Sequence, residues 1–293
     1  MSRRALVVTH RSREEAVAAT NEAVRELERH GFEIVRDDDG VDLTGVEIAV
    51  VLGGDGTILR AAEVTRGTDI PLLGVNLGHV GFLAESERED IGAAVRRLAD
   101  RDYEVEERTT LDVGVTVHGA AEPVVGWALN EATVEKADRA RMIEVLIEVD
   151  GRPLSTFGCD GVVMATATGS TAHAFSAGGP VVWPDVDAML LVPISAHALF
   201  ARPLVVGPAS VLALEVLPRS GSFGVLSCDG RRTMEVPVGA RVEVRRSAVP
   251  VRLARLSRAP FTDRLVSKFS LPVDGWRGGS PGVPSVPDLG RGT

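Results

Sequence analysis

The chain has 293 residues and only two cysteines, Cys159 and Cys228, too few for a disulfide framework and without metal-ligand spacing. Lysine is almost missing as well: Lys136 and Lys268 stand alone and the remaining basic residues are Arg, which a codon bias of the source genome explains. No run approaches the roughly 18 to 20 apolar residues that a membrane helix needs. No signal region precedes the strand-like Ala5-Leu6-Val7-Val8-Thr9, so the expectation is a cytoplasmic protein without a membrane partner. The net charge of −9 argues against a nucleic-acid surface, and an anionic nucleotide ligand would need local cations to reverse that sign. A glycine fingerprint after the first strand is also missing: Val8-Thr9-His10-Arg11 contains no glycine, which disfavours a hydride-transferring dehydrogenase.

What is present is centred on Val46 to Arg60. The run Ile48-Ala49-Val50-Val51-Leu52 has the β-branched make-up and length of a buried strand, and it ends in Gly53-Gly54-Asp55-Gly56-Thr57. Ile58, Leu59, Ala61 and Ala62 then resume at helical spacing. Glycines free the backbone from Cβ clashes, so bare N–H groups can approach a ligand. A helix N-terminus adds unpaired N–H groups and partial positive charge, which suits phosphate. Phosphate repels Asp55, so that carboxylate needs another purpose: a magnesium ion, a ribose hydroxyl or proton abstraction. A tight turn with Asp capping the helix accounts for the isolated run equally well.

Strands alternate with helices over the first part of the chain. Residues 5–9, 32–35, 48–52 and 70–75 read as strands, and 13–30 and 90–99 as helices. That alternation implies a parallel sheet with its ligand beyond the carboxyl ends of the strands, in an α/β domain spanning residues 1–108. From Glu104 the pattern changes to short strand-like runs, at 111–117, 124–129, 143–149, 162–165, 204–206, 211–216, 224–227 and 242–245. Residues 109–260 therefore read as a predominantly β domain. Phe261 to Phe269 reads as a helix returning to the first domain, and the Gly/Pro/Ser-rich residues 279–293 as a disordered tail.

Two further constellations carry chemistry. Cys159 to Pro184 gathers small and hydroxylated residues, Thr166, Thr168, Gly169, Ser170, Thr171 and Ser176, with Gly178-Gly179-Pro180 closing the segment. Nothing large stands between Ala165 and Ala172, so a ligand can approach the backbone while hydroxyls donate. Asn130-Glu131 ends the strand-like Trp127 to Leu129, where an amide and a carboxylate suit a ribose diol or form a solvated strand end. Cys159-Asp160-Gly161 and Cys228-Asp229-Gly230 are matching turns that either approach one another or echo by chance.

In this order and at these separations, the elements resemble the NAD kinase family. The matching pieces are Gly53 to Thr57, Asn76-Leu77-Gly78 with Gly81-Phe82-Leu83, Asn130-Glu131, Asp160-Gly161, Thr168 to Ala172 and Ser176 to Pro180. Pro193 to Pro203 also looks like a family block, and Phe261 to Trp276 looks like actinobacterial members. The resemblance implies an α/β domain, a β-rich domain, a cleft between them, and a homodimer or homotetramer. It implies phosphoryl transfer from ATP, or from polyphosphate, to the 2′-hydroxyl of the adenosine ribose of NAD, giving NADP. Mg²⁺ is implied with the donor phosphates, without a dedicated protein cage. By the same resemblance Asp55 is the proton acceptor. Asp55-Gly56, Asn130, Glu131, Asp160 and the segment Thr171, Ala172, His173, Ala174, Phe175, Ser176 match NAD-binding positions. Arg60, Arg141 and Arg231 are candidate phosphate or ribose contacts, each with a solvated alternative. Three departures stand out: Ala167 where Pro is common, His173 where Tyr is usual, and Arg231 where some members have Gln. Gly-Gly-Asp-Gly-Thr is shared with lipid kinases of the diacylglycerol and sphingosine type, which should lack the Asp160 to Pro180 block. The retention of Asp55 with all three glycines argues against a dinucleotide sensor without catalysis.

Overall fold

The computed structural model describes residues 3–9, 14–38, 40–78, 81–87, 90–120, 122–257 and 260–273. The expected tail at 279–293, Trp276, and His79 and Val80, which join Asn76-Leu77-Gly78 to Gly81-Phe82-Leu83, lie outside the described residues. In chain order the first elements are β1 (Arg3–Thr9), α1 (Glu14–Arg29), β2 (Phe32–Arg36), β3 (Val46–Leu52), α2 (Asp55–Thr65), β4 (Leu72–Asn76), β5 (Ser86–Glu87), α3 (Ile91–Ala99) and β6 (Glu104–Arg108). Then follow β7 (Leu111–Thr116), β8 (Val124–Ala128), β9 (Glu131–Lys136), β10 (Ile143–Val149), β11 (Arg152–Cys159), β12 (Gly161–Thr166) and α4 (His173–Ser176). The remainder is β13 (Met189–Ile194), β14 (Leu204–Val206), β15 (Val211–Val216), β16 (Gly224–Cys228), β17 (Arg232–Val236), β18 (Arg241–Arg246), β19 (Val251–Arg255) and α5 (Phe261–Phe269).

The first sheet has the order β2-β1-β3-β4-β19-β6, with β5 beside β4; only the β19–β6 pair is antiparallel among the described residues. Helices cover both faces, which is why β3 reads as a continuous apolar run. Ile48, Val50 and Leu52 pack against Ala19, Ala23 and Leu27 of α1 and Val95 of α3. Ala49 and Val51 face the other way, against Ile58, Leu59, Ala61 and Ala62 of α2. β19, which the sequence pattern grouped with the second domain, is hydrogen-bonded into this sheet between β4 and β6.

Two six-stranded antiparallel sheets build the rest, in the orders β11-β10-β15-β18-β7-β8 and β14-β13-β12-β9-β16-β17. Val113, Val145, Leu214 and Val244 of one sheet share a core with Val134, Met164, Leu191 and Leu226 of the other. The chain passes between the sheets at Leu129-Asn130, between β8 and β9. Asn130-Glu131 therefore does not end a strand: Asn130 lies in the connection, and Glu131 opens β9. Leu129 packs with Ile58, Leu59 and Leu83, so this connection is anchored in the core of α2.

Candidate active site

Asp55 is the first residue of α2, favourably placed for a negative charge. Its carboxylate accepts the backbone N–H of Phe82 at 3.2 Å on Oδ2 and of Leu83 at 3.1 Å on Oδ1. The loop can come this close because residue 81 is glycine; a Cβ there would collide with Asp55 Oδ1. A Cβ at Gly53 would likewise collide with the buried Thr57 side chain. Gly54 and Gly56 face open space, leaving an uncovered backbone beside the carboxylate.

The connection at Asn130 is held by a residue that the sequence marks only through the Cys-Asp-Gly echo. Asp229 is buried, and its carboxylate accepts the N–H of Leu129 at 2.9 Å, of Asn130 at 2.7 Å and of Glu131 at 3.3 Å. Arg232 pairs with it at 2.6 Å. Burial pushes the Asp229 carboxyl up; the amides and Arg232 pull the other way. Glu131 is 6% exposed, and its Oε2 is buried with no partner. Burial pushes its carboxyl up to about 7, the Asp229 charge adds to the rise, and the His173 N–H opposes it. A buried carboxylate oxygen without a donor is costly in the free protein, and a ligand hydroxyl would satisfy it.

Gly169 abuts the Asn130 carbonyl so closely that no Cβ fits, and Thr166 Oγ1 donates to Leu129 O at 2.7 Å while accepting Gly169 N at 3.1 Å. The Thr/Gly/Ser block is thus welded to the Asn130 turn. Ser170 is buried and bonds both Val182 N, at 2.9 Å, and Val182 O, at 3.2 Å; Ala174 is buried among Val163, Leu190 and Val192. These two shape the block from within. Thr168, Thr171, Ala172 and His173 are partly accessible, and Phe175 and Ser176 are exposed. His173 Nδ1 lies 3.4 Å from Thr133 Oγ1. Thr171 Oγ1 bonds back to Thr168 O at 3.3 Å.

Other expected site residues lie elsewhere or are already engaged. Asp160 forms the β11–β12 turn, where Lys136 at 2.5 Å holds its carboxyl below the usual range. Glu131 and Lys136 are opposite ends of β9, so Asp160 stands roughly 17 Å from Glu131 at about 3.3 Å per residue. Arg141 is exposed at that far end, 3.9 Å from Asp138. The matching Cys-Asp-Gly turns therefore do not meet: β16 ends at Cys228 opposite Ala132, and β12 begins at Gly161 opposite Glu135. Arg60 pairs with Asp37 and donates to Thr9 O at 2.9 Å. Arg231 makes a two-pronged pair with Glu63 of α2, at 2.9 and 3.2 Å, which raises its pKa. The solvated alternatives for Arg60 and Arg231 give way to ion pairs. Asn76 is buried and turns the chain by accepting Gly78 N at 3.3 Å.

Glu63 also approaches Arg232, at 3.4 Å, so one ion-pair chain runs from α2 through Arg232 and Asp229 to the amides of residues 129–131. Arg66 and Arg232 both lie over the Trp127 ring, at 4.2 and 4.3 Å. The helix that starts at Asp55 and the connection that presents Glu131 are thereby fixed against each other. No side chain in the sequence advertised this, because Asp229 and its amides are about a hundred positions apart; the Cys-Asp-Gly echo at 228–230 was the one available signal.

A half-buried carboxylate able to take a hydroxyl proton, beside uncovered glycine backbone at a helix start, has the equipment of a phosphotransferase rather than a redox enzyme. Comparison with known proteins narrows that class. Residues 39–103 match the family described as ATP-NAD kinase N-terminal domain, and 129–256 the ATP-NAD kinase C-terminal domain. The NAD kinase of Thermobifida fusca (strain YX) is 67% identical over 237 residues, covering 80% of this chain and 72% of that protein. NAD kinase 2 of Streptomyces coelicolor is 65% identical, covering 80% and 78%. The crystal structure of an NAD kinase from Archaeoglobus fulgidus in complex with ATP superposes with a TM-score of 0.73 at 28% identity, covering 92% of this chain and all of that one. Yeast NADH kinase complexed with NADH gives a TM-score of 0.85 at 21% identity over 94% and 89%, a likeness of fold. The chain belongs to the NAD kinase family, and its activity is the ATP-dependent phosphorylation of NAD. No helix among the described residues is long and apolar enough to cross a membrane.

Proposed function

We propose that Asp55 is the base that takes the proton from the 2′-hydroxyl of the adenosine ribose of NAD as the donor's terminal phosphoryl arrives. The single observation behind this is a carboxylate oriented by two backbone amides at a helix start, with uncovered glycine backbone on either side. Glu131, with its unpartnered Oε2, and Asn130 bind ribose hydroxyls of the acceptor. Thr168, Thr171 to His173, Phe175 and Ser176 line the dinucleotide path, and Gly169, Ser170 and Ala174 hold its shape. Phosphoryl transfer needs mainly positioning and charge neutralisation, and this arrangement supplies the positioning.

ATP is the donor in this reading, with polyphosphate as the second donor to test, and Mg²⁺ would travel with the donor phosphates. Two of the Asp55 lone-pair sites are taken by amides, which leaves further oxygen capacity toward a hydrated ion. Mg²⁺ there would neutralise the phosphate charge. The protein's own part is to orient the ribose through Glu131 and to accept its proton at Asp55.

Oligomerisation, as homodimer or homotetramer, and cytoplasmic residence belong to the same proposal. Leu199 and Phe200, exposed between β13 and β14, supply an apolar surface for another copy. Native mass spectrometry of wild type and Leu199→Asp tests that surface. The functional test crosses NAD, NADH and a diacylglycerol with ATP and polyphosphate, with and without Mg²⁺. Phosphorylation of NAD by ATP only with Mg²⁺ is expected. Turnover of NAD by ATP without any divalent ion would overturn the metal assignment, and an inactive polyphosphate arm would remove that donor.

A further inference from the structure

Helix α5 touches the site from behind. Phe82 lies between Phe261 and Phe269, with ring centroids 5.9 Å away in each case, and Phe269 also stacks on Phe175 at 4.7 Å. Trp183 meets the edge of Phe261 at 5.3 Å. These contacts seat α5 against both the loop behind Asp55 and the dinucleotide block.

From this seat Arg264 reaches into the loop. Its Nη1 donates to Phe82 O at 3.0 Å and to Ala84 O at 3.1 Å, and its Nη2 to Glu85 Oε2 at 2.6 Å. The Glu85 carboxylate is wholly buried, and Arg255 and the N–H groups of Leu256 and Ser257 also hold it, at 2.8 to 3.0 Å. The Phe82 carbonyl and the Leu83 N–H belong to one peptide unit, and the Leu83 N–H is a donor to Asp55. A trans peptide points its C=O and N–H to opposite sides. Arg264 and Asp55 therefore grip the same peptide from its two ends. The guanidinium fixes the plane of that peptide and polarises it, which strengthens its bond to the carboxylate.

We propose that Arg264 is a positioning residue for phosphoryl transfer, acting on Asp55 through the Phe82–Leu83 peptide. This rests on the reading of Asp55 as the base. Without the guanidinium the peptide loses its anchor on the carbonyl side and can tilt, which weakens the aim of the Leu83 N–H on Asp55. A misplacement on the ångström scale reduces turnover by up to about 10²-fold without removing any substrate contact.

The test compares Arg264→Met and Arg264→Lys, alone and combined with Asp55→Asn, for kcat with ATP, Mg²⁺ and NAD, and for NAD affinity by calorimetry. Arg264→Met should lower kcat by about 10- to 100-fold while the Kd for NAD stays within about twofold. In the Asp55→Asn background the same substitution should change kcat by less than about twofold, because residues acting through one another are non-additive. Arg264→Lys keeps a positive charge beside Glu85 but cannot match the two-carbonyl grip, so it should recover part of kcat. If Arg264→Met does not fold, the lysine variant in the two backgrounds makes the same comparison. An equal loss with and without Asp55 would overturn the positioning role alone. Near-normal kcat in Asp55→Asn would overturn the base reading and this role together.

Discussion

Glu131→Gln should make the free protein more stable and NAD binding weaker, and the two effects come from one atom. Glu131 Oε2 is buried without a donor, next to the buried Asp229. Its carboxyl sits at about 7 when folded against the ordinary 4.5. A folded pKa raised above the unfolded one stabilises the fold below the unfolded value, and that stability is lost as pH rises through the folded value. Wild type should therefore lose stability between about pH 4.5 and pH 7, by an amount on the order of 3 kcal/mol at about 1.4 kcal/mol per unit. Glutamine has no such proton, so the variant's melting temperature should exceed wild type by several degrees at pH 8, with most of the difference gone by pH 5. Calorimetric melts of both proteins across that range are the assay. A constant offset from pH 5 to pH 8 would refute the claim that Glu131 carries a buried, uncompensated charge. On the proposed ribose assignment the substitution would also remove a charge-assisted bond, with a net value of about 1.5 to 3 kcal/mol. That corresponds to roughly 10- to 150-fold in NAD affinity, with little change for ATP. Equal dissociation constants for NAD would sink the ribose assignment.

Asp55→Asn should keep NAD binding and lower kcat by about 10²- to 10⁴-fold, the usual size of general-base catalysis; steady-state kinetics and calorimetric titration check the two halves. Ala167→Pro should stabilise by about 0.4 to 1 kcal/mol in denaturant titration, because Ala167 already holds φ −56° and reducing the freedom of the unfolded chain is then uncompensated by strain; a fall in midpoint would show that the proline ring does not fit. Arg231→Gln should cost only about 0.2 to 1 kcal/mol of stability, the value of a half-exposed ion pair, and leave the apparent affinities for ATP and NAD unchanged. A selective loss of ATP affinity would return Arg231 to the phosphate site.

The elements that build the proposed site are legible because each is local. A β-branched run, a glycine turn and helical spacing occupy consecutive residues, and the run 261–269 is one amphipathic helix. The strands that the sequence leaves unmarked lack that local signal. Arg152–Cys159 buries only its last three residues, so alternation has no core to register over the rest. Met189–Ile194 carries Pro193, which argues against a strand, yet Pro193 sits opposite Val162 near its end. The return of β19 to the first sheet and the Glu63–Arg232–Asp229 chain join distant segments, and single-sequence periodicity contains no term for them. The arginines are ambiguous in sequence for a related reason. A lone Arg near a motif is read as free, whereas Arg60 and Arg231 are neutralised by Asp37 and Glu63 from other elements.

The two carboxylates assigned to the proposed site differ in their surroundings, and on that proposal the difference would couple binding to protons. Asp55 is given its donors by the protein, so its carboxylate is oriented before any ligand arrives. Glu131 is left short of a donor and is held near its midpoint at neutral pH. A ribose hydroxyl bonding to the charged form lowers the Glu131 pKa in the complex. NAD binding near pH 7 should then release a fraction of a proton, and NAD affinity should rise as pH climbs from about 6 to 8, since below the free pKa the carboxyl must first ionise. Titrations of NAD in two buffers of different ionisation enthalpy measure that release directly. Glu131→Gln should abolish it, whereas the same release from the variant would assign the proton to another group and remove Glu131 from the acceptor site.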